Sequence, residues 1–417
     1  MMMYRFIPLT LSLLSVLLFS ACAREPLDSA VSDETAKEIA VESLDLPSGL
    51  GAMAPNLALS NGGVILSWLE PLTDHDASSN TEVDSVALYQ AEWRDESWSP
   101  PRQIAAGNTF FANWADVPAV VETVDRKRFA HWLSKLGDST YAYGAELALS
   151  DDGGETWSHL GLLHDDASPT EHGFVSYVPL KDGSVQAFWL DGRAMVDEGA
   201  MHLRTVRLND GNAGKSTMLD DRVCECCSTS AALTENGPIV AYRDRGPSEI
   251  RDIAVIRAVG QGWSDPTLVS ADGWEIYGCP VNGPAIAAAG SHVAVAWFTA
   301  ASPRPRVSVA FSGDEGASFS APVVIDDVEP LGRVSVALDA SGQALVSWLG
   351  TTGEGAEIRW RAVSPEGEMS SVHVVAATTA RRASGVPRMV RLEDRLIFVW
   401  VEDGEKTLLK AGSVPII

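Results

Sequence analysis

From about residue 50 onward the chain is written in short apolar runs that alternate with polar positions and are cut by Gly, Asp and Asn turns. Alternation of period two marks half-buried strands, and no stretch past the N-terminus holds the period of an amphipathic helix. One phrase recurs, an apolar strand that ends on an aromatic and then turns polar. Its anchors are Trp68, Trp132, Trp189, Tyr242, Trp297, Trp348 and Trp400, spaced 51 to 64 residues apart. A repeat of that size, built of about four strands, is a propeller blade.

Seven anchors predict an all-β propeller of seven four-stranded blades, with six as the alternative if a terminal repeat is degenerate. A single blade cannot bury both faces, so blades stack around an axis and the ring must close. The last repeat has room for three strands, around residues 386–392, 395–401 and 407–413. The missing outer strand is expected from Glu38 to Leu44, which would lock the two termini into one blade.

The segment before that strand reads differently. Arg5 precedes an apolar run from Ile7 to Phe19 that is too short and wrongly flanked to span a membrane, which is the form of an export signal. Phe19-Ser20-Ala21-Cys22 resembles the lipobox of bacterial lipoproteins, whose cysteine is lipidated; the alternative is an ordinary signal peptide cleaved nearby. The resemblance implies a signal over residues 1–21, a polar tether over 22–37 and a propeller over 38–417, held by acyl chains on a membrane of the bacterial cell envelope, at the outer membrane on its periplasmic or surface face.

Composition narrows the partners. A net charge of −25 excludes a protein whose business is displacing counterions from nucleic acid. A monomer that binds a small anionic ligand through a local cationic site is the expectation that survives.

Two turns share a phrase: Ser150-Asp151-Asp152-Gly153-Gly154-Glu155-Thr156-Trp157 and Ser312-Gly313-Asp314-Glu315-Gly316-Ala317-Ser318-Phe319. Physically it stabilises a hairpin, with Ser and Asp oxygens accepting turn N–H groups and Gly taking positive φ. The phrase resembles the Asp box (BNR repeat) of the sialidase, or neuraminidase, superfamily of propellers. Two departures stand out. Sialidases have six blades, and their first-blade arginine is missing here, where the matching stretch reads Gly51-Ala52-Met53-Ala54-Pro55.

In a propeller, the loops entering each inner strand and those following each second strand open on one face. The entering loops hold Trp114, Glu171, His172, the cysteines, Asn282, Arg333 and Arg388. The following loops bring Asp191 with Arg193, Arg243 with Asp244 and Arg245, and Arg251 with Asp252. Arginine grips carboxylates through its planar fork, so Arg193, Arg243, Arg245, Arg251, Arg333 and Arg388, with His172 and Asn282, are the candidate ligand-binding set. The same short spacings also suit ion pairs that brace loops. The sialidase resemblance implies a tyrosine nucleophile assisted by a glutamate and an aspartate acid/base, for which Tyr277 with Glu275, and Asp191, are the candidates, with Arg193, Arg245 and Arg333 as the carboxylate clamp.

Setting Cys22 aside leaves Cys224, Cys226, Cys227 and Cys279, on loops at the tops of adjacent blades. In an exported chain that even number suggests two disulfides, of open pairing. The alternative is a thiolate site for Cu or Zn, with His172 or His131 nearby. Two functions follow: a sialidase-like glycoside hydrolase acting on an acidic, carboxylate-bearing glycan, or a noncatalytic propeller that binds an anionic ligand, a partner protein or a metal.

Overall fold

The computed structural model describes residues 40–72, 85–209 and 212–416. The export signal, Cys22 and the tether lie outside them. No helix among the described residues is long and apolar enough to cross a membrane.

The described chain folds into seven antiparallel sheets, one per repeat, as the spacing of the aromatic anchors predicts. Each sheet runs outward from the axis in chain order. The inner strands are Met53–Ser60, Ala119–Glu122, His172–Pro179, Ser230–Leu233, Ala285–Ala289, Pro330–Leu338 and Arg388–Leu392, in blades 1 to 7. Each of these seven touches the next, and the seventh touches the first, so the ring is closed. The second strands carry the anchors. They are the most apolar because both their faces pack against neighbouring blades, and Trp68, Trp189, Tyr242, Trp297 and Trp348 are buried there to within 1%.

A buried indole or phenol needs a partner for its polar tip. Tyr242 Oη donates to Asp220 at 2.6 Å, Trp297 Nε1 to Asp272 at 2.7 Å and Trp348 Nε1 to Asp326 at 2.6 Å. Each acceptor sits at or just past the end of the preceding blade's outer strand, so these bonds tie blade to blade. Trp189 and Trp68 use carboxylates two residues on, Asp191 at 2.8 Å and Glu70 at 3.1 Å.

The ring closes at the seventh blade as expected. Glu42–Leu44 pairs antiparallel with Leu408–Pro415, placing Leu44 opposite Ala411. The two turns with the shared phrase have one geometry. Ser150 Oγ donates to Asp152 and accepts from Gly154 N at 2.8 Å, while Thr156 N donates to Asp152 at 2.9 Å. Ser312, Asp314, Gly316 and Ser318 repeat those bonds at 2.8 and 2.9 Å. Gly154 at φ +93° and Gly316 at φ +83° supply the left-handed backbone that the turn requires.

Candidate functional site

The register of blade 3 pairs His172, at the start of its inner strand, with Asp191, at the end of its second. Loops entering inner strands therefore share one end of the ring with loops leaving second strands, as the topology requires. An axial cavity of about 480 Å³ runs between the inner strands, and its lining includes Asp116, Phe174, Asn282, Arg333 and Arg388.

Bulges shape this mouth. The inner strands of blades 1, 3 and 6 shift register near their starts, around Ala54, Phe174 and Arg333, which hold positive φ of 52°, 53° and 53°. A bulge re-aims the residue it carries, and a left-handed non-glycine residue persists only where its surroundings hold it. In blade 6 the bulge lays the Arg333 guanidinium over the Trp114 ring, 5.0 Å from its centroid. Neighbouring glycines make room: a side chain on Gly173 would overlap the Asp116 carboxylate, and one on Gly332 would overlap Asn282 and Phe298.

The six candidate arginines separate into three groups. Arg193 is held by Asp191 at 2.7 Å and Asp165 at 2.7 Å. Arg245 and Arg251 share Glu225 and Glu249, with Arg251 2.8 Å from the first and 2.9 Å from the second. These three brace loops, and their charge is already answered by carboxylates. Arg243 is fully buried and donates to the carbonyls of Arg251 at 2.6 Å, Phe298 at 2.8 Å and Asn282 at 2.8 Å, with Trp274 stacked on it. It is a strut. Arg333 and Arg388 alone both line the cavity and lack a carboxylate ion pair among the described residues. Arg333 Nη1 donates to Gly385 O at 2.6 Å, and its backbone N–H donates to Asn282 Oδ1 at 2.8 Å. Arg388 keeps a buried Nε without a partner. Burial pushes both guanidinium groups down to about 10, which leaves them cationic at neutral pH.

A second group gathers beside Arg388. Asp116 accepts from Phe174 N at 2.7 Å and from Tyr143 Oη at 3.2 Å, and Tyr143 Oη also lies 2.5 Å from Glu171. Burial raises Asp116 to about 8 and Glu171 to about 7, against the bonds each accepts. At neutral pH Asp116 is a carboxylic acid at the cavity wall, poised to give a proton. Asp116 and Tyr143 were not among the residues singled out from sequence. Asp116 lies two residues past Trp114, whereas nothing local marks Tyr143.

These raised values set the sign of a stability effect. Native Asp116 and Glu171 hold protons that the unfolded chain releases near pH 4, so between about pH 4 and pH 8 the native state binds more protons and their contribution falls as pH rises. Asp116→Asn is expected to flatten this part of the profile. The drop in melting temperature from about pH 5 to pH 8 should be smaller in the variant than in the wild type, and equal drops would show that Asp116 is not protonated in the fold.

Several expectations need correcting. Asp191 is fully enclosed, and its bonds from Arg193 and Trp189, together with the His172 charge, hold it below the usual carboxylate range despite its burial; it is a brace and not a proton donor. Tyr277 is 80% exposed, outside the cavity lining, so it and Glu275 do not form a nucleophile pair at the axis. His172 is buried, stacked 4.2 Å from His164 and bonded to Asp166 at 3.0 Å, outside the cavity lining. Asn282 does line the cavity, where it positions the Arg333 backbone.

The cysteines form one bridge rather than two. Cys226–Cys279 joins the loops entering blades 4 and 5, while Cys224 and Cys227 are free, buried and 3.0 Å apart at sulfur. The Sγ atoms of Cys224, Cys226 and Cys227 lie within 4.8 Å of one another, and neither His172 nor His131 joins them. The contact between the two sulfurs lowers Cys224, while burial, and then that contact, raises Cys227.

Against known proteins, no family model matches the chain and no curated protein matches it. Solved structures do. A Dyadobacter fermentans protein of unknown function superposes with a TM-score of 0.52 at 14% identity, over 90% of this chain and 98% of that one. The polysaccharide lyase Uly1 gives a TM-score of 0.54 at 8% identity, over 90% and 92%. NanB sialidase from Streptococcus pneumoniae gives a TM-score of 0.45 at 12% identity, over 90% and 70%. At such identities the first two establish a shared propeller fold and nothing of chemistry.

Proposed function

We propose that this protein is a glycan-acting propeller that takes a carboxylate-bearing sugar into its axial cavity. The observation that carries this reading is the pairing of Arg333 and Arg388 at the cavity wall, both cationic, neither neutralised by a carboxylate, in a chain that pairs Arg193, Arg245 and Arg251 with carboxylates. Desolvated guanidinium groups are costly unless an anion completes them, and a carboxylate does so with two charge-assisted bonds. The ring face of the sugar would stand near Trp114, beside Arg333. Asp116 is the candidate proton donor to a glycosidic oxygen, which makes hydrolysis of an acidic glycoside the first reading. The lipobox-like start of the chain supports a place on the bacterial cell envelope, where such glycans are met.

A noncatalytic carboxylate-sugar receptor is the second reading, and one observation favours it. Tyr143, the phenol bonded to a glutamate nearest the cavity, is fully enclosed and not part of the cavity lining, and Tyr277, which meets Glu275, is exposed outside it. Calorimetry of the mature chain with methyl glycosides of sialic and uronic acids, beside their neutral counterparts, tests both readings together with a panel of fluorogenic acidic glycosides. Binding of acids alone with turnover supports the hydrolase, and binding without turnover supports the receptor. Equal weak binding of neutral and acidic sugars sinks both.

A further inference from the structure

The cysteine group is not used by the carboxylate site, and two of its thiols, Cys224 and Cys227, are free and buried beside the Cys226–Cys279 bridge. We propose that Cys224, Cys226 and Cys227 form, once the Cys226–Cys279 bond is opened, a thiolate site for a soft monovalent cation, Cu(I). Three features of the fold carry this. The donors converge: the Sγ atoms of Cys224, Cys226 and Cys227 lie within 4.8 Å of one another, and Cys279, bonded to Cys226, is outside that group. They are sulfur alone, and an all-thiolate set selects Cu(I) over hard cations; three neighbouring sulfurs suit its low coordination number, whereas structural Zn(II) takes four ligands in a tetrahedron.

The third feature is charge. Arg251 is 96% buried by its 4% exposure, its Nη1 lies 3.4 Å from Cys224 Sγ, and its Nε is buried without a partner. Arg243 is fully buried beside the same sulfurs and donates to carbonyls alone. Thiolates formed here would lie against two buried guanidinium groups, of which Arg251 is also shared with Glu225 and Glu249. The step conserves atoms and electrons. Two molecules of a thiol reductant are oxidised to their disulfide as Cys226–Cys279 is reduced to two thiols. Cu(I) then replaces the thiol protons, which pass to solvent.

The test titrates Cu(I) into reduced, anaerobic mature protein against a chromogenic Cu(I) chelator. One equivalent is expected to bind, with a thiolate-to-copper absorption band in the ultraviolet, and Cys224→Ser or Cys227→Ser should weaken binding by about 100-fold or more, beyond the effect of losing an outer-shell partner. Wild-type protein kept oxidised, which needs no mutation and retains its fold, should bind far less, since Cys226 is then unavailable. Reduced wild-type protein that competes no better than a sample alkylated at its thiols overturns the proposal. So does displacement of Cu(I) by equimolar Zn(II).

Discussion

Arg388→Ala is expected to weaken binding of a carboxylate-bearing sugar by about 100-fold and to leave neutral sugars unaffected. A hydrogen bond to a charged group contributes about 1.5–3 kcal/mol, truncating one member of a buried charged pair costs about 2–5 kcal/mol, and each tenfold in affinity is about 1.4 kcal/mol. Arg388→Lys should recover little, because an ammonium lacks the planar fork. Stability should separate this arginine from a structural one. The Arg388 Nε is buried without a partner, so its removal takes away a desolvated charge and should not lower the stability of the ligand-free protein. Arg243 is the contrast: its loss strands the carbonyls of Arg251, Asn282 and Phe298 in a buried site. Arg243→Ala should therefore cost about 3 kcal/mol or more in urea unfolding. Calorimetric affinities and unfolding midpoints for the two variants check the contrast. If Arg388→Ala destabilises as Arg243→Ala does and leaves acidic-sugar affinity intact, Arg388 is a second strut and the cavity has lost half its clamp.

That contrast also shows where sequence reading succeeds and where it stops. Blade number and closure were legible because they follow from the periodicity of the anchors and from a last repeat one strand short, both of which are one-dimensional facts. The common mouth was legible because propeller topology decides which loops share an end. Which arginines stay unpaired was not. Arg193 sits two residues from Asp191, but its second partner is Asp165, and Arg245 and Arg251 meet through Glu225, 20 and 26 residues upstream in the loop entering their own blade. Those partners follow from how loops fold over the top of a blade, and no spacing rule reports it. Burial was equally hidden for Tyr143, whose third-strand position gives no sign that its hydroxyl reaches the Asp116 and Glu171 carboxyls. One signal was present and went unread. Asp165, Asp220, Asp272 and Asp326 recur at the blade period, each at the end of an outer strand or just past it, and three of the four accept from the next blade's anchor aromatic. An acidic chain of this kind spends part of its charge on the joints between blades.

The joint that matters most is the last. Leu44→Asp is expected to lower the melting temperature sharply and to broaden the transition. The closing strand is three residues long, so little main-chain bonding secures it, and Leu44 is its buried residue, packed with Trp68, Ile397, Val399 and Ala411 between blades 1 and 7. Losing the leucine contacts costs about 2–5 kcal/mol, and burying an unpaired carboxylate in their place adds several more unless the strand detaches. Detachment is the cheaper outcome. It exposes the edge of Leu408–Pro415 and releases Glu42 from Arg395, so that blade 7 is joined to blade 1 only by the packing of Met53–Ser60 and Gly63–Leu72 against its remaining strands. A ring opened at one seam behaves as a linear array, in which terminal repeats fray before central ones and cooperativity falls. Limited proteolysis of the variant should therefore cut first within blade 7. Leu50→Asp, at a residue 63% exposed six positions away, is the control and should melt with the wild type. A Leu44→Asp protein that melts as sharply as wild type, with blade 7 still resistant to protease, would mean that the packing between blades 1 and 7 holds the ring closed without the N-terminal strand.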